Sequence, residues 1–139
     1  MATSKSNLEK QPQSREAEEA VLGSMLISKE AVSKTLQWLP SADYFYIDNH
    51  VKIFSCMLNL FENGEPIDAV SVVEELKKEK KLKSVGGAYF ITSLSNSVPT
   101  TANVEHYAKI VLEKYILRKL IEVSNEVSKN AFDDSQVVG

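Results

Sequence analysis

From Thr101 to Ala131 the chain contains neither proline nor glycine, and this unbroken run constrains the fold more than any other feature. With no breaker, it reads as one continuous helix. At ~1.5 Å per residue that helix is about 45 Å long, longer than a domain of 139 residues can cover. Its apolar positions divide into two sets. Val104, Tyr107, Ala108, Val111 and Tyr115 form a face suited to packing back onto a globular body. Leu112, Ile116, Leu120, Val123 and Val127 recur instead at the seam spacing of helices that associate lengthwise. The half beyond Ile116 therefore needs another partner, and these five residues are the candidate oligomer interface.

The preceding residues read as a series of shorter helices. Met1 to Gln11 is polar and aperiodic, the pattern of a flexible tail. Ser14 is placed to cap a first helix over about 15–27, with acids at 16, 18 and 19 at its positive end and Ala17, Val21, Leu22, Met25 and Leu26 on its apolar face. A second helix, about 29–39, turns Val32, Leu36 and Leu39 inward and stops at Pro40. The aromatic segment SADYFYID leads into a third helix, in which Val51, Phe54, Leu58 and Phe61 share a stripe that Ile53, Met57 and Leu60 widen. Such breadth predicts the buried centre of the domain. Asn63-Gly64 ends it. Asp68 caps a fourth helix that runs to about Lys81, with Val72, Val73 and Leu76 inward. A fifth, about 87–95, is expected to bury Tyr89, Phe90, Ile91 and Leu94 before Pro99. The predicted core is Val21, Leu22, Phe54, Leu58, Phe61, Leu76, Phe90 and Leu94, and the predicted class is all-α. The corresponding division is a tail at 1–11, a helical globule at 12–100, a long helix at 101–131 and a polar end at 132–139.

Several kinds of chemistry find no support. No stretch approaches the ~20 apolar residues of a membrane span, and the first twenty residues lack the apolar centre of a secretory signal, so a cytoplasmic protein is expected. A net charge of −3 argues against a nucleic-acid grip by this domain alone. The lysines at 77, 78, 80, 81 and 83 alternate with acids and read as a solvated helix face. Cys56 lies in an apolar helical pattern and reads as a small buried hydrophobe. His50 and His106 have no metal-ligand spacing, and the dipole accounts for Glu16, Glu18 and Glu19 at a helix start. A phosphate-binding loop would follow its glycines with Lys and Ser or Thr. Gly86-Gly87 leads instead into AYFITSL, which makes the pair a tight turn where two helices approach and a Cβ would clash. No catalytic, cofactor or metal residues are assigned.

Four segments nevertheless stand in a telling order: S-x-E-A-E…V-L-G from Ser14, F-Y-x-x-x-H-x-x-I-F from Phe45, G-x-P-I-D from Gly64, and V-G-G…V-P-T…N…Y-A-x-I-V from Val85, ending at Arg118. Together they resemble the N-terminal domain of the DnaB-type replicative DNA helicase over about Pro12 to Ala131. Tyr44 stands where the family often has an acid before its Phe-Tyr pair, a departure confined to a loop.

The resemblance implies a compact six-helix globule followed by a long helix that is the first arm of a helical hairpin. It also implies a non-catalytic role in assembly and docking: dimers paired in a hexameric collar, with primase bound through its C-terminal domain and helicase loaders as further partners. The family's motor is a separate C-terminal ATPase that moves along single-stranded DNA with ATP and magnesium, so no such cofactor is expected in these residues. On this reading the chain is a fragment that stops at Gly139 before the hairpin's second arm. A freestanding adaptor or helicase-regulating module would share the fold, and a DNA-binding domain using Lys77 to Lys83 is the weakest alternative.

Overall fold

The computed structural model describes residues 11–133; the expectations for the first ten residues and for 134–139 lie outside them. Among the described residues there are six α-helices and no strand: α1 (Arg15–Ile27), α2 (Lys29–Trp38), α3 (Asp48–Glu62), α4 (Ala69–Lys78), α5 (Gly87–Asn96) and α6 (Val104–Phe132), with 3-10 turns at Ala42–Tyr44 and Lys83–Val85. The caps follow local chemistry. Ser14 Oγ accepts from the Ala17 amide at 3.1 Å, Ser28 Oγ from Ala31 at 3.1 Å, and Asp68 Oδ1 from Ser71 at 2.8 Å. The fourth helix ends at Lys78, short of the expected Lys81, because Lys80 adopts a left-handed φ of 60° and the Lys81 amide turns back to the Leu76 carbonyl at 2.9 Å.

The centre of the globule is α1, not α3 as the apolar breadth of α3 suggests. Helix α1 touches α2, α3, α5 and α6, and Ala17, Glu18, Val21, Leu22, Gly23, Ser24, Met25 and Leu26 are all buried. Helix α3 packs against α1, α4 and the two 3-10 turns. Its innermost residues are Ile53, Phe54, Met57 and Leu60, while Leu58 is half-buried and Phe61 is 49% exposed. It carries more apolar positions than its neighbours cover, so Phe61 leaves the predicted core. Val21, Leu22, Phe54, Leu76 and Leu94 are buried as expected.

On α5, Ile91 and Leu94 point inward, Phe90 is half-buried and Tyr89 is 87% exposed. Two residues on a helix span about 200° of its circumference, so burying Ile91 turns Tyr89 to solvent. The two glycines before it also separate. A Cβ on Gly86 (φ 114°) would meet Phe90 Cβ at 2.9 Å, whereas Gly87 (φ 79°) has open space and needs glycine for its backbone conformation alone. The tightest approach lies elsewhere, at Gly23, where a Cβ would stand 2.3 Å from the Leu94 carbonyl oxygen.

The first half of α6 closes the globule, with Val104, Ala108 and Val111 buried and Tyr107, Leu112 and Tyr115 half-buried. Trp38 Nε1 donates to Glu105 Oε2 at 3.1 Å, and Lys109 Nζ lies 4.9 Å from the Trp38 ring centre, which ties α2 to this helix.

Candidate interaction surface on the long helix and its root

Beyond Tyr115 the long helix leaves the globule. Ile116, Leu120, Val123 and Val127 are all exposed, and only Leu112 of the five seam positions packs against the core. Leu117, Ile121 and Phe132 are exposed too. Leu117 and Ile121 lie on one flank of the seam, so the bare apolar surface is wider than the heptad-like spacing indicates.

Arg118 anchors the root of this arm. Its Nη1 donates to the Pro12 carbonyl at 2.7 Å and its Nη2 to the Tyr44 carbonyl at 3.0 Å, while the guanidinium lies 5.0 Å from the Tyr46 ring centre and 5.9 Å from that of Tyr115. Tyr44 and Tyr115 pack with ring centres 4.4 Å apart. Burial lowers the Arg118 pKa from its ordinary value, with Glu18, Tyr46 and Tyr115 opposing that shift. Beside the root lies a cleft of about 600 Å³ that Asp43, Tyr46, Tyr115, Arg118 and Lys119 help to line.

The same loop is held from its other side by Glu18. Oε2 accepts from the Tyr46 amide at 2.9 Å, and Oε1 accepts from the Ile47 amide at 3.3 Å. Glu18 Oε1 also lies 2.8 Å from His50 Nδ1, and Glu19 Oε2 lies 3.3 Å from His50 Nε2. Both Glu18 and His50 are buried, and the imidazole is parallel to the Phe90 ring at 6.3 Å. The expectation that the dipole accounts for Glu18 is therefore corrected: its buried side chain supplies the acceptors for two amides of a half-buried loop. The only available signal was an acid one turn behind the first apolar residues, together with a His at the start of a facing helix, and neither indicates their contact.

The remaining polar candidates are dispersed. Lys77 and Glu74 are 3.7 Å apart, Lys78 and Glu75 4.0 Å, and Lys81 and Glu79 4.0 Å, the paired surface expected of alternating signs. His106 is exposed beside Tyr107. Among the described residues no cluster of three or more His, Cys, Asp and Glu could hold a metal ion, and no helix is long and apolar enough to cross a membrane. Cys56 is buried, and burial, aided by Glu79 and Glu75, pushes its thiol up to about 12. Nor do the residues around the glycine pair fit a nucleotide: Gly87 is followed by Ala88 and Tyr89, and Phe90 fills the space beside Gly86.

Fold and site together define a class: an all-α globule extended by one helical arm, whose buried and half-buried polar side chains hold its own loops in place. Its sequence pattern and its shape agree with one family in particular. The chain belongs to the DnaB-like helicase N terminal domain family, whose model matches residues 10–113. It is 44% identical over 121 residues to the replicative DNA helicase DnaC of Bacillus subtilis, covering 87% of this chain and 26% of that protein. It is also 44% identical over 116 residues to the replicative DNA helicase DnaB of Mycobacterium leprae, covering 84% and 19% respectively. The chain thus spans about a quarter or less of the length of these relatives. Among solved structures, the N-terminal domain of DnaB helicase from Mycobacterium tuberculosis matches with a TM-score of 0.86 and 38% identity, covering 91% of this chain and 90% of that one. A DnaB-like replicative helicase, described with its interactions with primase, matches with a TM-score of 0.71 and 29% identity over 82% of this chain and 27% of its own.

Proposed function

We propose that this chain is the non-catalytic assembly and partner-docking domain of a replicative DNA helicase. Its seam at Leu112, Ile116, Leu120, Val123 and Val127 would form the interface between subunits of a hexameric collar. The observation that carries this reading is the bare apolar length of α6: Ile116, Leu120, Val123 and Val127 are exposed on a helix that has left the globule. Isolated apolar residues on a surface need no explanation, but a continuous row at lengthwise-packing spacing calls for a covering helix. Family membership and the structural match to a helicase described with primase support the same reading.

The parent protein would unwind duplex DNA with ATP and magnesium through a motor domain outside these residues, at replication forks in the cytoplasm. Primase, through its C-terminal domain, and a helicase loader would be its protein partners, and single-stranded DNA would pass through its ring. Light scattering of the chain alone and mixed with the C-terminal domain of the cognate primase tests the docking role. A stable mixed complex is expected. If neither this chain nor the full-length protein forms one, the docking role is wrong.

A further inference from the structure

A second apolar surface lies away from the arm and shares no residue with it. Where the C-terminus of α1 and the start of α2 meet the end of α3, Leu26, Ile27, Val32, Phe61, Pro66 and Ile67 enclose a groove of about 430 Å³. Leu26 and Val32 form a buried floor, while Ile27 and Phe61, both about half exposed, stand as walls. Helix α3 is closed by the Glu65 amide donating to the Leu60 carbonyl at 2.8 Å, with Gly64 at φ 71°, and this turn sends Pro66 and Ile67 back across the groove's end.

The rim is charged unevenly. Its charged lining residues are two acids, Glu65 and Asp68, and one base, Lys29. Asp68 is engaged as the cap of α4, and among the described residues neither acid forms an ion pair. Glu62, next to Phe61, is exposed and also without an ion pair among the described residues. An apolar groove of this kind takes the apolar face of a helix through anchors spaced three and four residues apart, and an acidic rim favours cations along the edge of that helix. We propose that this groove docks an amphipathic helix of another protein that carries lysine or arginine along the edge facing Glu65 and Asp68. A second copy of α6 fits less well, because Glu113, Glu122 and Glu126 stand among its lysines.

The test uses two acetylated model peptides of one helical pattern, leucine with lysine and leucine with glutamate, titrated into the chain by calorimetry. The leucine–lysine peptide should bind, and the leucine–glutamate peptide should not. Phe61→Ser and Ile27→Ser should each weaken binding by about tenfold or more, the cost of losing one anchor, whereas Val123→Ser on the arm should leave it unchanged. Glu65→Lys should weaken the lysine peptide and improve the glutamate peptide. Circular dichroism confirms that each variant is folded before titration. No binding, equal binding of the two peptides, or loss of binding in Val123→Ser but not in Phe61→Ser or Ile27→Ser would each overturn the proposal.

Discussion

Replacing Gly23 with alanine sets two physical effects against each other at one methyl group. In an exposed helix interior the change is stabilising by roughly 0.5–1 kcal/mol, because glycine loses more backbone freedom on folding. At Gly23 the added Cβ would lie 2.3 Å from the Leu94 carbonyl oxygen and 2.5 Å from Val98 Cγ2, whereas ordinary contact begins at 3.4 Å. The carbonyl belongs to the backbone of α5 and cannot rotate away, so the two helices must part by roughly 1 Å in an interior packed as densely as a crystal. Overpacking of this kind costs typically 1–3 kcal/mol. Since Leu22 and Leu94, both fully buried near the crossing, would also be pulled apart, we expect the clash to outweigh the propensity gain. Less that gain, a net loss of roughly 0.5–2 kcal/mol remains, which lowers the melting temperature by roughly 2–6 °C in a chain of this size. Thermal melting at 222 nm and urea titration measure both quantities. Gly87→Ala is the matched control: nothing lies within 4 Å of its new methyl, so its cost is the left-handed strain alone, about 1–2 kcal/mol. A Gly23→Ala protein that melts at or above the parent temperature would refute the assignment of the α1–α5 crossing.

Removing the Glu18 carboxylate with Glu18→Ala leaves two loop amides and His50 without their acceptor and should cost about 3–5 kcal/mol in urea titration; a change below about 0.5 kcal/mol would mean that the loop is held by other means. Cys56 should resist a thiol reagent at pH 8 in the native protein and react in proportion to added urea, and rapid stoichiometric labelling without denaturant would contradict its burial. Because its folded pKa of about 12 lies above the ordinary 9.0, that thiol's contribution to stability is full below pH 9 and declines as pH rises from 9 toward 12, measurable as a falling urea midpoint in Cys56-containing protein relative to Cys56→Ala. The double substitution Ile116→Ser and Val123→Ser should leave the melting of this chain unchanged while weakening the ring assembly proposed for the parent helicase, and a normal hexamer would remove the seam from the proposed interface.

Helix positions were legible because caps and breakers act locally. Ser14, Asp68 and Pro99 announce their roles without reference to the rest of the chain, and apolar recurrence places Val21, Leu22, Leu76 and Leu94 in the core. What the pattern lacks is a ranking of apolar faces against one another. Phe61 and Tyr89 are apolar residues beside buried ones, and only the number of neighbouring helices decides that they remain at the surface. Long-range polar contacts were hidden for a different reason. Glu18 meets His50 across 32 positions and Arg118 meets Pro12 across 106, and no local spacing encodes such a meeting. Gly23 shows the same limit: its V-L-G context identifies a helix interior, but the Leu94 carbonyl that requires its missing side chain arrives from another helix.

The anchoring of Arg118 turns the arm into a lever with a fixed fulcrum. From Arg118 to the last helical residue, Phe132, the helix extends about 21 Å at ~1.5 Å per residue, and no glycine or proline offers a hinge along it. A tilt of about 10° at the root would therefore sweep the tip through roughly 4 Å, about two-thirds of the rise of one helical turn. Small changes in how the 44–47 loop grips the guanidinium would be magnified along the arm into a displacement of the proposed interface.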